Sequence, residues 1–286
     1  MSQDADNDGA EVRAALAPLP PGYRDLFARL AAVAGADERI RALWLSGSLG
    51  RRAADAGSDL DVVLAVGADD FEEFTDGWRD WLATVTPTVL ARPVPGLRGC
   101  WFSLTPQCLR LDIVAERAGT ASPAARARRV LVLDKDGAYA GLPRPPAEPG
   151  RGPDPARLTA LTEEFFRQQA IFPAAVVARG DWLLGVVGVQ ATAQLLYDLF
   201  VESNQPLPPM GVKQWSARLT PAQRETCAAL PQPAADPASV LAAMKETAAQ
   251  FRAAAGPILA AAGATWPGEL EAAVQGYLAA ELGWPA

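Results

Sequence analysis

The chain has 286 residues, half of them hydrophobic, and a formal net charge of −7. That length suits two domains with sizeable cores. The acidic balance argues against a nucleic-acid surface, which needs Lys and Arg in patches, and suits a cationic small molecule. The absence of histidine excludes Ser-His-Asp and Cys-His catalysis, His-ligated zinc and an imidazole base.

Residues 1–20 carry Asp4, Asp6, Asp8 and Glu11 and lack the basic and apolar regions of a signal peptide, so a disordered arm is expected. A first helix is expected from Tyr23 to Val33 and a strand at 40–46. Next comes the most informative stretch, Leu43-Trp44-Leu45-Ser46-Gly47-Ser48-Leu49-Gly50-Arg51, then Asp59-Leu60-Asp61-Val62-Val63-Leu64. It reads as strand, small-residue turn, short helix at 48–53 and second strand at 59–66. Phe71, Phe74, Trp78, Trp81, Leu82 and Val85 recur at helical spacing, which predicts an amphipathic helix over 69–85 with the aromatics as core anchors. Strands are expected at 87–93, 100–105, 108–116 and 130–133, with a hairpin turn at Thr105-Pro106-Gln107.

Residues 141–155 hold six prolines and three glycines and read as a linker. Helices are expected beyond it at 156–179, 181–203, 220–229, 237–262 and 267–283, with Pro173 breaking the first and Asp181 at an N-cap position. The stretch from Trp182 to Val201 is the most apolar, but Gln190, Gln194 and Asp198 leave too short an uncharged run to span a bilayer, so a buried helix is expected. Cys100, Cys108 and Cys227 offer neither a disulfide framework nor metal-ligand spacing.

In a strand, residues i and i+2 share a face, so Asp59 and Asp61 project side by side. Two anions that close call for a cation between them, and Mg²⁺ or Mn²⁺ is the natural occupant. Gly47-Ser48 offers unhindered backbone N–H groups and a hydroxyl, which suit phosphates.

Gly-Ser, this spacer and Asp-apolar-Asp together resemble the nucleotidyltransferase superfamily of DNA polymerase beta and the aminoglycoside and lincosamide nucleotidyltransferases. The resemblance covers residues 40–116, and Asp112 in Arg110-Leu111-Asp112-Ile113-Val114 stands where the family has its third carboxylate. It implies an α+β protein. A nucleotidyltransferase domain with a mixed β-sheet flanked by helices would occupy 21–145, and an all-α helical bundle 146–286. It further implies transfer of a nucleoside monophosphate, AMP from ATP or a unit from another NTP, to a hydroxyl of a small, cationic, aminoglycoside-like acceptor. Asp59, Asp61 and Asp112 would be catalytic and metal-holding. Gly47, Ser48, Arg51 and Lys213 would bind the triphosphate, with Arg52 facing away. Glu116 shares the face of Asp112 and is a candidate base or a solvated strand-end carboxylate. Glu163, Glu164 and Asp181 are expected to face the acceptor, Asp181 with helix capping as its other reading. The expected setting is cytoplasmic, as a monomer or homodimer, without nucleic-acid or membrane partners and with a role in antibiotic resistance. The alternatives are modification of a tRNA or protein, and non-catalytic nucleotide binding.

Overall fold

The computed structural model describes residues 2–120, 127–139, 150–211 and 213–284. Most of the linker expected at 141–155 lies outside the described residues. The chain forms two compact units, Met1–Glu148 with Pro208–Lys213, and Pro149–Leu207 with Gln214–Ala286. The class is α+β: a mixed six-stranded sheet flanked by helices, and a helical second unit.

The first unit opens with α1 (Ser2–Leu16), which corrects the expected disordered arm. Ala15, Leu16 and Leu19 are buried and Val12 packs against them. Those positions recur at i, i+3, i+4 and i+7, and this apolar stripe outweighs the acidic residues ahead of it. Helix α2 (Pro21–Ala36) starts with proline at its first position, where no N–H is needed, and buries Tyr23, Leu26, Phe27, Leu30 and Ala34.

Strands β1 (Ile40–Leu45) and β2 (Leu60–Val66) flank the short helix α3 (Gly47–Gly50). The expected helix over 69–85 is instead two, α4 (Phe71–Asp76) and α5 (Trp78–Val85), broken at Gly77. Glycine is a poor helix interior residue, yet the apolar stripe continues across the break. Phe71, Phe74, Trp78, Trp81, Leu82 and Val85 are all buried, and Trp78 stacks on Trp101 with ring centroids 5.2 Å apart. They are core anchors.

The remaining strands are β3 (Leu90–Pro93), β4 (Cys100–Leu104), β5 (Arg110–Arg117) and β6 (Val130–Asp134). The order across the sheet is β3-β4-β5-β2-β1-β6. Only β2 and β5 pair in parallel; the other neighbours are antiparallel. The period of two divides the sheet into two faces. Leu60, Val62, Leu64, Leu111, Ile113 and Trp101 enter the core with α1, α2, α4 and α5. On the other face, Ala42, Trp44, Val63, Ala65 and Leu131 pack with Tyr139 over the β6-β1-β2 half. Among the described residues that cluster does not extend over the β5-β4-β3 half of that face.

In the second unit, α6 (Pro155–Phe172) runs into a π-helical turn (Pro173–Val177), so Pro173 divides the helix as its missing N–H requires. Helices α7 (Trp182–Ser203), α8 (Pro221–Ala229), α9 (Pro237–Ala262) and α10 (Gly268–Leu282) follow. Side chains of Asp154, Asp181, Thr220 and Asp236 cap four of these starts. Phe165 of α6 stacks on Phe251 of α9, centroids 3.8 Å apart, at the centre of the core. Among the described residues α7 is the one helix long and apolar enough to cross a membrane by length and composition. Its Gly185, Val189, Leu196, Leu199 and Phe200 are buried within the helical unit.

Candidate active site

The site is built on the β1–α3 turn and the starts of β2 and β5. Leaving β1, the chain turns as Ser46 N–H donates to the Asp61 carbonyl at 2.9 Å. Gly47 takes φ +55°, and a Cβ there would lie 1.9 Å from Asp61 Oδ2. Only glycine lets the Asp61 carboxylate rest against this backbone. Gly50 has a second, separate duty: its Cβ would meet the Arg128 carbonyl oxygen at 2.1 Å, so the chain entering β6 crosses directly over it. Ser48 is buried between the two glycines, 8% exposed.

Before β2, Asp55 closes a turn by accepting from Gly57 N–H at 2.9 Å and from Ser58 Oγ at 3.1 Å. Asp59 follows and is 13% exposed at its side chain. Its Oδ2 accepts from Lys213 Nζ at 2.6 Å. Its Oδ1 is in ion-pair contact with Arg110. The same guanidinium nitrogen also donates to the Gly57 carbonyl at 2.6 Å, so Arg110 ties Asp59 to the turn before β2.

Asp61 and Asp112 are direct register partners in the parallel β2–β5 pair. Adjacent strands lie ~4.8 Å apart, so the two carboxylates stand side by side on the open face. Burial is the main cause that pushes Asp61 up from 3.8 to about 6, followed by repulsion from Asp112 and then Asp59. Lys213 and Arg51 oppose that rise. Asp112 is also raised, first by burial and then by Asp59, against Lys213 and Arg110. Asp61 and Asp112 thus sit where burial first, and then like charge, disfavours the ionised form.

This donor set fits a hard divalent ion in chemistry: carboxylate oxygens, two of them on acids that burial pushes up. Among the described residues, no three His, Cys, Asp or Glu side chains stand as a ready metal cluster. Lys213 and Arg110 already hold Asp59.

Lys213, expected from the helical part, belongs with the sheet unit through Pro208–Lys213 and reaches Asp59, not an open phosphate position. Lys213→Ala is expected to raise the Asp61 pKa beyond about 6, because a cation that lowers it is removed. A carboxyl NMR titration reads this directly, and an unchanged or lower value would refute the placement of the Lys213 ammonium.

Arg51 follows α3 and adds positive potential at Asp61. Arg52 points elsewhere, with φ +56° and an ion pair to Glu11 of α1. Glu116 is neither a free base nor a solvated carboxylate. Arg129 holds it through two hydrogen bonds of 2.7 and 3.0 Å.

The helical-unit residues have local roles. Glu163 is exposed on α6. Glu164 accepts from Arg167 at 2.6 and 2.7 Å and from Gln168, which hold it down at about 2. Asp181 Oδ1 accepts from Leu184 N–H at 3.0 Å as the cap of α7. Glu164 and Asp181, expected to face the acceptor, have their oxygens engaged within their own helices.

Sequence reasoning missed Arg110, two residues before Asp112, where strand alternation puts it on the same face. It also missed a cavity of about 590 Å³ that runs from Asp59, Asp61 and Asp112 along β5, β4 and β3.

No family model matches the chain, and no curated protein sequence matches it. Among solved structures it is similar to an aminoglycoside 6-adenyltransferase from Bacillus subtilis. The identity is 14% over 89% of this chain and 95% of that one, with a TM-score of 0.39. A likeness that loose carries nothing about chemistry.

Proposed function

We propose that the protein is a divalent-metal-dependent nucleotidyltransferase that moves a nucleoside monophosphate, AMP from ATP, to a hydroxyl of a small acceptor in the cytoplasm. One observation carries this reading. Asp61 lies against the Gly47 backbone and is the register partner of Asp112. A small-residue turn and paired carboxylates therefore meet at one point.

In the reaction, the acceptor oxygen forms a bond to the α-phosphorus while the bond to pyrophosphate breaks. Catalysis of this kind is mostly positioning and charge neutralisation. Gly47, Ser48 and Arg51 hold the β- and γ-phosphates. Lys213 exchanges its Asp59 contact for a phosphate oxygen. Asp112 takes the hydroxyl proton; burial and then the neighbouring Asp59 raise its pKa, which makes it a stronger base than a free carboxylate. Asp59, Asp61 and Asp112 would hold Mg²⁺ or Mn²⁺, which when bound neutralises phosphate charge and orients the triphosphate.

A pyrophosphate-release screen of four NTPs against hydroxylated acceptors tests the reading. Release with ATP, lost in EDTA, is expected; no release with any combination would count against it. NTP binding should also tighten at least about ten-fold on adding Mg²⁺, because phosphates and carboxylates repel until an ion bridges them. Calorimetry giving equal affinities in EDTA and Mg²⁺ would contradict the metal assignment.

A further inference from the structure

The cavity beside the three aspartates has two unlike ends. One is polar, with Asp59, Asp61, Asp112, Arg110 and Lys213. The other is an apolar platform of Leu90, Val94, Leu97, Phe102, Leu104 and Val114. Register explains the platform. Phe102 pairs with Asp112, Leu104 with Arg110, and Leu90 with Leu104, so these side chains share the open face with Asp112. Leu90, Leu97 and Val114 are exposed, an unusual use of apolar surface beside a charged site.

Strand order assigns the occupant. Across the open face the row of positions is Gly47 after β1, Asp61 on β2, Asp112 on β5, Phe102 on β4 and Arg92 on β3, with Leu104 and Leu90 in the neighbouring row that starts at Arg110. If the β- and γ-phosphates rest at Gly47-Ser48, the α-phosphorus falls at Asp61 and Asp112, and pyrophosphate leaves toward β1. The attacking and leaving oxygens lie roughly in line. The acceptor must therefore approach from the β4–β3 side, across the platform. The nucleoside hangs from the α-phosphorus off that line.

Resting on the transfer reading above, we propose that the acceptor is an amphiphile, with its reacting hydroxyl at Asp112 and an apolar body on the Phe102–Val114–Leu90 platform. A polycationic acceptor has no counterpart there. Among the described residues lining the cavity, the acidic ones are the three site aspartates alone. The Arg92 guanidinium also lies over the Phe102 ring, 4.8 Å from its centroid, and adds positive charge at the platform. A volume of about 590 Å³ accommodates a drug-sized molecule. The chemistry balances: the acceptor O–P bond forms, the bond to pyrophosphate breaks, and the proton passes to Asp112.

Binding titrations on the wild type, Phe102→Ser and Leu97→Ser test this without turnover. The probes are naphthylpropanol, a polyamine cyclitol (deoxystreptamine) and MgATP. Naphthylpropanol should bind the wild type more tightly than deoxystreptamine does. It should weaken about ten-fold in each variant, the loss of one apolar contact, while MgATP stays within about two-fold. Leu97 is exposed, so its variant guards against misfolding. Equal naphthylpropanol affinity in all three proteins, or preference for deoxystreptamine, overturns the amphiphile. Weakened MgATP in place of the alcohol shows that the platform holds the nucleobase and overturns it too. A wild type that binds the alcohol through Phe102 but not MgATP overturns the transfer reading and the acceptor assignment with it.

Discussion

Asp61→Asn is expected to abolish nucleotidyl transfer and yet give a folded protein that, without divalent ion, is more stable than the wild type. Both effects come from one carboxylate. Asp61 is buried against Gly47 and beside Asp112, and burial first, then that neighbouring charge, raises its pKa from 3.8 to about 6. Between those values the folded state holds a proton that the unfolded chain has released. Wild-type stability therefore falls as pH rises through that window, and the full cost of the charge is present above about 6. Asparagine keeps the shape and removes the charge, so the variant should gain about 1–3 kcal/mol above that window and lose the advantage toward pH 4. The same change removes one of the carboxylates that would hold the divalent ion and should reduce turnover about 10³-fold, as lost electrostatic stabilisation of a transition state typically does. Urea denaturation in EDTA at a series of pH values, paired with turnover in Mg²⁺, measures both. Near-normal turnover would remove Asp61 from the site. An unchanged pH profile of stability would refute the crowded-carboxylate picture.

Gly47→Ala should damage both stability and activity. A new Cβ would sit 1.9 Å from Asp61 Oδ2 and 2.5 Å from its Cγ, far inside contact distance. The Asp61 side chain must swing off the turn. At φ +55° the alanine also costs about 1–2 kcal/mol in a left-handed conformation. A displaced reacting group commonly costs about 10²-fold in rate. Gly137→Ala separates the two causes. Gly137 has φ +65° and nothing within 4 Å of its would-be Cβ, so it carries the strain without the collision. Thermal denaturation should show Gly137→Ala destabilised by about 1–2 kcal/mol and Gly47→Ala by more, with turnover lost only in Gly47→Ala. Full turnover in Gly47→Ala would mean that Asp61 does not need the glycine's open backbone.

The sequence by itself determined the local features. Alternation in Asp59-Leu60-Asp61 and in Arg110-Leu111-Asp112-Ile113-Val114 shows which side chains share a face, because strand geometry repeats every two residues. Apolar stripes marked α2, α7 and α9, and Gly47-Ser48 marked the turn, because these signals act between near neighbours. Local reasoning overreached where two local signals competed, as at Gly77 within an unbroken stripe and in the acidic start of α1.

Only the tertiary structure decided the partners. The in-register placement of Asp61 beside Asp112 depends on β5 joining β2 in parallel after two intervening strands. Lys213 reaches Asp59 across 154 residues of chain, and Arg128 crosses Gly50 at a distance no spacing rule encodes. Glu164, Asp181 and Glu116 look available as a string of letters, but Arg167, the Leu184 N–H and Arg129 occupy them. A carboxylate's charge is a property of its residue type. Whether that charge is free, neutralised or pushed toward protonation is set by what the fold packs around it, and burial and distance to other charges exist only once the chain has folded.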